Sequence, residues 1–341
     1  MNAFGAIGLI AIGSLCAASF YVPLNKVKEW HWESLWIFQG LAAWIIAPWL
    51  FVYFTVPDGK LVEIMQAAPV SSIWWSIFFG ALWGVGGLTF GLSIRYLGVA
   101  LGQSISLGFC AAFGTLIPPI VKGENLLTTS SGILMLIGVA TCIAGIAIIG
   151  YAGVLKNKGL SEEERKSAVK EFALKKGLLI AVFAGIMSAA LSYSYEFGKP
   201  IDEASLASGI NPLYQSNLTL AYALIGGFFT NFIYCFYLNI KNGTIKDYVS
   251  VSGSLFLKNL FFTFLAGFLW FLQFHFYGMG KSQLSAGVAV FAWSILMALN
   301  ISFSNIWGII LKEWKGASRK TMIVLILGII VLIFSTFVIN F

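Results

Sequence analysis

Charged residues are scarce in this chain of 341 residues, because Asp, Glu, Lys and Arg together make up only 10% of it. A soluble domain carries about 25% charged residues, so the composition excludes an ordinary soluble fold. Histidine is rarer still, with two residues, and the four cysteines have neither C-x-x-C spacing nor a histidine at metal-ligand spacing. No structural metal site is therefore expected, and the cysteines are interpreted as small packing residues.

The sequence motifs of common enzymes are also missing. The chain has no P-loop, no G-x-S-x-G nucleophile elbow and no H-E-x-x-H helix. We therefore expect neither an enzyme nor a primary pump, and no bound cofactor.

Apolar sequence is what the chain has in abundance, since 59% of its residues are hydrophobic. They form ten runs, each close to or above the length of about 20 residues that a helix needs to cross a bilayer. Lipid admits only helices and closed barrels, and continuous apolar runs without alternation favour helices. The sequence thus predicts an all-α membrane protein with ten transmembrane helices. The runs lie near 4–23, 34–56, 72–97, 99–121, 131–153, 177–197, 212–240, 254–279, 284–311 and 321–340.

Lysine and arginine are distributed unevenly among the gaps between these runs. Seventeen of the 21 stand in every second gap, beginning with the first. Because basic residues are retained on the cytoplasmic side, these gaps are predicted to be cytoplasmic and both termini to lie on the outer side of the membrane. The net charge of +7 therefore indicates a lipid bilayer as partner and no nucleic acid, which would need a basic stripe on a folded surface.

Two sequence patterns occur once in each half of the chain. GSLCAASFY at Gly13–Tyr21 is echoed by GIMSAALSY at Gly185–Tyr193. A Leu-Trp pair that ends at Trp83 recurs at Trp270, each time with a glycine eight residues after the tryptophan. These echoes indicate a duplicated unit.

A duplicated unit of five helices crosses the membrane an odd number of times, so its second copy must be inverted relative to the first. Inverted repeats are typical of alternating-access transporters, which hold their substrate near the bilayer midplane. We predict two inverted five-helix repeats, at 1–155 and 177–341, joined by a cytoplasmic linker at 156–176.

Few ionisable residues lie within the predicted spans or at their ends, and each is a functional candidate because burying a charge in lipid costs about 3 kcal/mol or more. Glu33 starts the second span as either a functional acid or an anchor in an interfacial aromatic belt. Glu196 and His275 stand near the outer ends of the sixth and eighth spans. They either share a coupling proton between neighbouring helices or are two separately hydrated residues.

Neutral polar and aromatic side chains are more frequent in the spans than charged ones. A chamber lined by amides, hydroxyls and aromatic faces suits a neutral polyhydroxylated solute, whereas a nucleotide or phosphate ester calls for a basic clamp. A single tryptophan in a span is nevertheless more often a packing residue than a sugar platform. The set includes Gln39, Trp44, Trp83, Asn217, Asn231, Trp270 and Gln273.

Several longer segments resemble the bacterial L-rhamnose/proton symporters of the drug/metabolite transporter superfamily. They are SFYVPLNKVKEWHWE at Ser19–Glu33, FGALWGVGGLTFGLSIRYLG at Phe79–Gly98, FLQFHFYGMG at Phe271–Gly280 and LKEW at Leu311–Trp314. They occur in the family's order and cover essentially the whole chain. One departure is GVAVF at 287–291, which contains no acid where the family pattern has an Asp.

The resemblance implies a ten-helix carrier that imports a small neutral sugar, L-rhamnose, together with a proton as the coupling ion. At matching motif positions it implies Tyr21, Trp83, Trp270 and Gln273 as sugar contacts and Glu33 as the acid. Glu196 and His275 stand where the pattern has uncharged residues, and they remain the candidates that the residues themselves suggest.

Two other functions remain open from the sequence. Other branches of the same superfamily are metabolite exporters, which would not accumulate the sugar along an inward proton gradient. A membrane sensor that transports nothing would hold its polar residues in a static site.

Overall fold

A computed structural model describes residues 3–97, 99–121, 123, 125–158, 173–289, 291–312 and 314–338. Every regular element within these ranges is helical. The predicted cytoplasmic linker falls largely on residues 159–172, which lie outside the described residues, so its location stays a prediction.

The described residues form sixteen α-helices, which are numbered in chain order. They are α1 Ala3–Ser19, α2 Tyr21–Leu24, α3 Trp32–Gly40, α4 Ala47–Thr55, α5 Lys60–Ala67, α6 Val70–Leu97, α7 Val99–Val121, α8 Ser130–Lys158, α9 Leu174–Phe197, α10 Lys199–Ala207, α11 Asn217–Asn242, α12 Asp247–Ser250, α13 Gly253–Gln283, α14 Ala286–Ala289, α15 Ala292–Ile310 and α16 Arg319–Val338. A π-helical turn, Leu41–Ile46, joins α3 to α4, and 3₁₀ turns occur at Pro212–Tyr214 and Thr244–Lys246.

Eight helical segments in the described part of the chain are long and apolar enough to cross a membrane, which makes this a multi-pass membrane protein. Each overlaps one of the predicted runs, because a run of about 20 apolar residues can satisfy its backbone in lipid only as a helix. The other two predicted runs coincide with α7 and α16, whose membrane crossing stays a prediction. The spans are Ala3–Leu24, Trp32–Thr55, Val70–Ile94, Gly132–Lys156, Lys175–Ala207, Pro212–Asn242, Gly253–Gln283 and Ala292–Ile310.

The helices group into two compact units that each draw on both halves of the chain. The first comprises Met1–Gly84 and Tyr193–Gln283, and the second comprises Val85–Ser192 and Leu284–Phe341. The unit boundaries fall inside α6 and α9 rather than at the predicted linker. This grouping concerns contacts, whereas the predicted inverted repeats concern duplicated sequence and stay a prediction.

Small residues bring the helices of the first unit close together. In α1, a Cβ at Gly13 would stand 2.6 Å from the backbone oxygen of Gln273 in α13. A Cβ at Gly80 of α6 would overlap the backbone of Ala223 in α11. A Cβ at Gly226 of α11 would overlap the backbone of Ile77 in α6. Backbones that approach this closely gain van der Waals contact, which is the main attraction between helices in lipid.

An apolar cluster in the first unit holds α4, α5, α10 and α11 together. Because these side chains are almost completely buried, truncating any of them would remove contacts that the neighbouring helices share. The cluster comprises Val52, Ile64, Ala68, Ile201, Ile210, Leu218, Ala221 and Tyr222.

The second unit packs α7 and α16 against α8, and α15 against α7 and α16. Polar side chains join α7 to α15: the Thr115 and Ser294 hydroxyls lie 2.7 Å apart, and the indole N–H of Trp293 donates to the Cys110 carbonyl at 3.2 Å. The polar groups of these buried residues are therefore satisfied inside the protein.

A Gly80→Ala substitution is expected to destabilise the protein by about 2 kcal/mol, because the new Cβ overlaps backbone that cannot move without shifting α11. Thermal unfolding in detergent should show a lower Tm. Gly8→Ala in α1 is the matched control, because no atom lies within 4 Å of a Cβ placed there. Equal melting temperatures for the two variants would contradict the close packing of α6 on α11.

Candidate functional site

Three indole rings of the first unit contact one another. The ring centroids of Trp44 and Trp83 lie 5.8 Å apart, those of Trp44 and Trp270 5.7 Å, and those of Trp83 and Trp270 5.2 Å. Trp44 meets its partners edge to face, at interplanar angles of 81° and 86°. These are favourable geometries for aromatic pairs. We call these three residues the tryptophan cluster.

The tryptophan cluster is expected at the bilayer midplane. Trp44 stands near the middle of Trp32–Thr55, and the other two stand near the middle of Val70–Ile94 and Gly253–Gln283. Secondary transporters hold their substrates at this depth, often beside an interrupted helix.

The second span is interrupted where it supplies its tryptophan. The backbone changes from α-helix to the π-helical turn Leu41–Ile46, which contains Trp44. Single π turns inside α-helices occur frequently at functional sites. Glycines make room for the rings: a Cβ at Gly40 would stand 2.5 Å from the Trp44 ring, and a Cβ at Gly227 would overlap the Trp83 ring.

Two polar groups at this depth have no hydrogen-bond partner among the described residues. They are the side-chain amide of Gln39 and the Nε1 of Trp44, whose residues are 0% and 2% exposed. A buried polar group without a partner costs about 1–3 kcal/mol, so a native protein that retains two of them calls for an explanation.

Gln39 lies beside the tryptophan cluster. In α13, a Cβ at Gly267 would stand 2.6 Å from the backbone oxygen of Gln39, and Trp270 follows Gly267 by one helical turn. The site therefore offers aromatic faces, one N–H donor and one amide that can both donate and accept. These are the chemical groups that a neutral solute with hydroxyl groups and an apolar face would require.

Two of the four predicted sugar contacts, Trp83 and Trp270, belong to the tryptophan cluster. Gln273 is 5% exposed and stands one turn beyond Trp270 on the same helix. Tyr21 lies at the start of α2, is 54% exposed and packs its ring on Phe20. The structure therefore does not bring Tyr21 into the cluster.

Sequence reasoning named Gln39 and Trp44 among the polar and aromatic residues of the spans but did not select them. Their depth in the second span was the available signal, since Trp44 stands near its middle. Their lack of partners could be recognised only in three dimensions.

Glu33 is buried at one end of the first unit, in the first turn of α3. Its Oε1 accepts hydrogen bonds from Asn242 Nδ2 and Thr244 Oγ1, each at 2.9 Å. Eleven residues separate it from Trp44, or about 16 Å at the helical rise. Glu33 therefore lies in a polar network at the helix end and not in the tryptophan cluster.

Asp247 belongs to the same network and holds the start of α3. Its Oδ2 accepts from the backbone N–H of His31 and the hydroxyl of Ser34, each at 2.8 Å, and lies 3.0 Å from His31 Nδ1. Burial by itself raises the pKa of the Asp247 carboxyl, but the His31 N–H, the Ser34 hydroxyl and the His31 ring together outweigh it. The pKa of Asp247 therefore lies below its usual value.

Glu196 and His275 have separate partners. Glu196 Oε1 lies 2.5 Å from Lys199 Nζ, one turn further along the chain. His275 is 6% exposed, its Nδ1 lies 3.0 Å from Asn217 Oδ1, and its ring stacks on Tyr214. The two predicted coupling residues therefore contact different partners.

The helical spans define a multi-pass membrane protein, and three of them bring the tryptophan cluster together. The family model of the L-rhamnose-proton symport protein (RhaT) matches residues 1–341. The chain belongs to this family.

Relatives in two Yersinia species agree with the family match. The L-rhamnose-proton symporter of Yersinia pestis (strain Pestoides F) is 37% identical over 339 residues, which cover 98% of this chain and 96% of the relative. The protein of the same name in Yersinia pseudotuberculosis serotype O:1b (strain IP 31758) has the same identity and coverage.

Asp247→Asn is expected to destabilise the protein by about 2 kcal/mol at neutral pH, because it removes a charge that accepts several hydrogen bonds. The folded-state pKa lies below the unfolded value of about 3.9. This stabilisation is therefore present above that pH and is lost as the pH falls through the folded-state pKa.

Chemical unfolding of wild type and Asp247→Asn in detergent at a series of pH values measures the difference. The difference in unfolding free energy between the two proteins should become smaller below about pH 4. Asp58→Asn, in an exposed loop of the same unit, is the control and should differ little from wild type at any pH. A stability difference that does not change with pH would contradict the stabilising role of the ionised Asp247 carboxyl.

Proposed function

We propose that this protein imports L-rhamnose together with a proton, by alternating access. Its family and its relatives in Yersinia support this function, since both have that transport activity in their names. The structural observation on which the proposal rests is the tryptophan cluster at the midplane, together with the unpartnered amide of Gln39.

The chemistry of the cluster fits a deoxyhexose. A pyranose presents C–H groups on one face and hydroxyl groups around its edge, and L-rhamnose adds a methyl group and no charge. The faces of Trp83 and Trp270 would contact the C–H groups, and the Gln39 amide and Trp44 Nε1 would bond to hydroxyls. Sites for small molecules commonly combine an apolar lining with a few polar groups that fix orientation.

The other predicted sugar contacts fit this proposal unequally. Gln273 follows Trp270 on α13 and is buried, so we assign it to the sugar site. Tyr21 is exposed at the start of α2, and its role rests on the motif alone.

Among the predicted coupling residues Glu33, Glu196 and His275, the surroundings favour His275 as the residue that transmits the effect of the proton to the sugar site. Glu33 accepts two hydrogen bonds at the end of the unit far from the cluster, and Glu196 pairs with Lys199. His275 lies on the helix that also contains Trp270, five residues further along, or about 7.5 Å. A rearrangement at His275 would therefore act close to the sugar.

Alternating access would use two inverted repeats of five helices, with ten crossings in all. The recurring Gly13–Tyr21 and Gly185–Tyr193 segments support the repeats, and the positions of α7 and α16 support the count. The distribution of lysine and arginine supports a bacterial inner membrane with both termini in the periplasm.

Gln39→Leu is expected to lower the apparent affinity for L-rhamnose by about tenfold or more, because the sugar loses a buried hydrogen bond. The fold should keep or gain stability, since no described residue bonds to the Gln39 amide. The measurement is uptake of labelled L-rhamnose into proteoliposomes with an inward proton gradient, together with Tm in detergent.

Gln66→Leu, at an exposed position in α5, and Trp74→Phe, at a position 65% exposed in α6, are the controls. Full uptake by Gln39→Leu would exclude this site. Wild-type vesicles that fail to accumulate L-rhamnose along an inward proton gradient would favour an exporter. Binding without any transport would favour a membrane sensor.

Ser161→Cys in a cysteine-free background tests the predicted orientation. An impermeant thiol reagent added to intact cells should leave this position unlabelled, because the linker at 156–176 is expected to be cytoplasmic. A cysteine added before Met1 should be labelled by the same reagent once the outer membrane is permeabilised. Labelling of Ser161→Cys in intact spheroplasts would contradict the predicted topology.

A further inference from the structure

Asp202 is a buried acid of the first unit. It belongs neither to the tryptophan cluster nor to the predicted coupling residues. It lies in α10, which packs on α5 and α11, and it is 9% exposed. The predicted sixth span ended at residue 197, which placed Asp202 in a loop. The structure instead places Asp202 in a helix that directly follows α9, within the candidate span Lys175–Ala207, and a carboxyl that is buried there is costly to charge.

Two neutral hydroxyl groups of the next span hold the Asp202 carboxyl. Thr219 Oγ1 lies 2.6 Å from Oδ1, and Ser216 Oγ lies 2.8 Å from Oδ2. In the described part of the chain, the bonds to these two oxygens come from hydroxyls and none comes from a cation. A carboxyl in such a setting can hold or release a proton without breaking an ion pair.

The Thr219 hydroxyl has one proton and two acceptors within reach. It lies 2.6 Å from Asp202 Oδ1 and 3.1 Å from the carbonyl oxygen of Gly198. When Asp202 is ionised, Thr219 donates to it. When Asp202 is protonated, Asp202 donates to Thr219, whose proton turns to Gly198. Both protonation states are thus satisfied by the rotation of one hydroxyl.

The start of α11 connects Asp202 to His275. Ser216, which binds Asp202, precedes Asn217, whose Oδ1 lies 3.0 Å from His275 Nδ1. The Asn217 amide also donates to Thr55 Oγ1 in α4 at 3.0 Å. A shift at the start of α11 would therefore reach α13, the helix that contains Trp270.

Other titratable groups face this region from the neighbouring helices. Lys199 on the same helix and Lys281 on α13 are close enough to act on the Asp202 charge. Lys199 is paired with Glu196, and Lys281 lies over the rings of Tyr195 and Tyr277. On α5, Lys60 and Glu63 pair with each other.

We propose that Asp202 is the group that takes up and releases the coupling proton, an inference that rests on the proposed rhamnose-proton symport. One proton from the outer solution forms the O–H bond of the Asp202 carboxyl. The same proton leaves to the cytoplasm after the sugar is released, which restores the carboxylate. Thr219 and Ser216 are positioning residues that stabilise both forms, and His275 senses the change through Asn217.

Asp202→Asn tests the proposal, because an amide keeps the size and hydrogen bonds of the acid but cannot carry the proton. Purified full-length protein is reconstituted into proteoliposomes that contain a pH-sensitive dye. L-rhamnose should no longer cause proton entry, whereas counterflow exchange of labelled L-rhamnose should persist and lose its dependence on pH. Glu203→Gln, the exposed acid next in the chain, is the control and should retain both signals.

Persistent rhamnose-driven proton entry in Asp202→Asn would overturn the proposal. Loss of both counterflow and proton entry, in a variant that melts like wild type, would also overturn the proposal, since the role of Asp202 would then be structural. Absence of rhamnose-driven proton entry in wild type would remove the symport proposal and this one together. If wild type and Asp202→Asn both show rhamnose-driven proton entry, the role of Asp202 is excluded and the symport proposal stands.

Thr219→Val keeps the proposal testable should Asp202→Asn fail to fold. The valine cannot donate to the ionised carboxyl, so the midpoint of the pH dependence of counterflow should move to higher pH. An unchanged midpoint in a folded Thr219→Val protein would overturn the proposal.

Discussion

The structure depends on one constraint of the bilayer: a polar group inside it must find its partner within the protein. Each unsatisfied backbone or side-chain group costs several kcal/mol in hydrocarbon. This is why the backbone is helical throughout the described spans, and why Asn231 binds both Trp36 and Gly227, and the Thr115 hydroxyl contacts that of Ser294. The same constraint makes Gln39 and Trp44 conspicuous, because both are buried without such a partner. In the proposed function, a bound sugar would supply the missing donors and acceptors.

Helix α13 contains several of the residues that the proposed function uses. Glycines let two other elements approach its backbone. Gly13 of α1 lies against Gln273 of α13, and Gly267 of α13 lies against Gln39 of the second span. Trp270 lies in its middle, and His275 lies five residues further along. Because a helix is a stiff element, a displacement at one of these residues is transmitted to the other. Coupling between a proton site and a sugar site requires such a connection, in which each ligand changes the free energy of binding the other.

Hydropathy predicted the position of the spans well, because the free energy of inserting a helix is close to a sum over its own residues. The two Leu-Trp pairs also drew attention to Trp83 and Trp270, whose rings contact each other in the structure. Sequence reasoning missed the end of the sixth span. A proline at 200 and two acids at 202 and 203 read as a loop, yet α10 continues the span and buries Asp202 against α11. Sequence reasoning left open whether Glu196 and His275 share a proton or stand apart, and in the structure Glu196 contacts Lys199 and His275 contacts Asn217.

The sequence by itself determined the class of protein, the helical spans and the family, because apolar length, the positions of basic residues and family motifs are all properties of the chain read in order. Only the tertiary structure decided which side chains have partners. Gln39 and Gln66 look alike in sequence, but one is buried with an unbonded amide and the other is exposed. Asp202 and Glu203 are neighbours, but only the first meets Thr219 and Ser216. These differences arise because burial and hydrogen bonding are set by which helices approach each other, and that approach joins residues far apart in the chain.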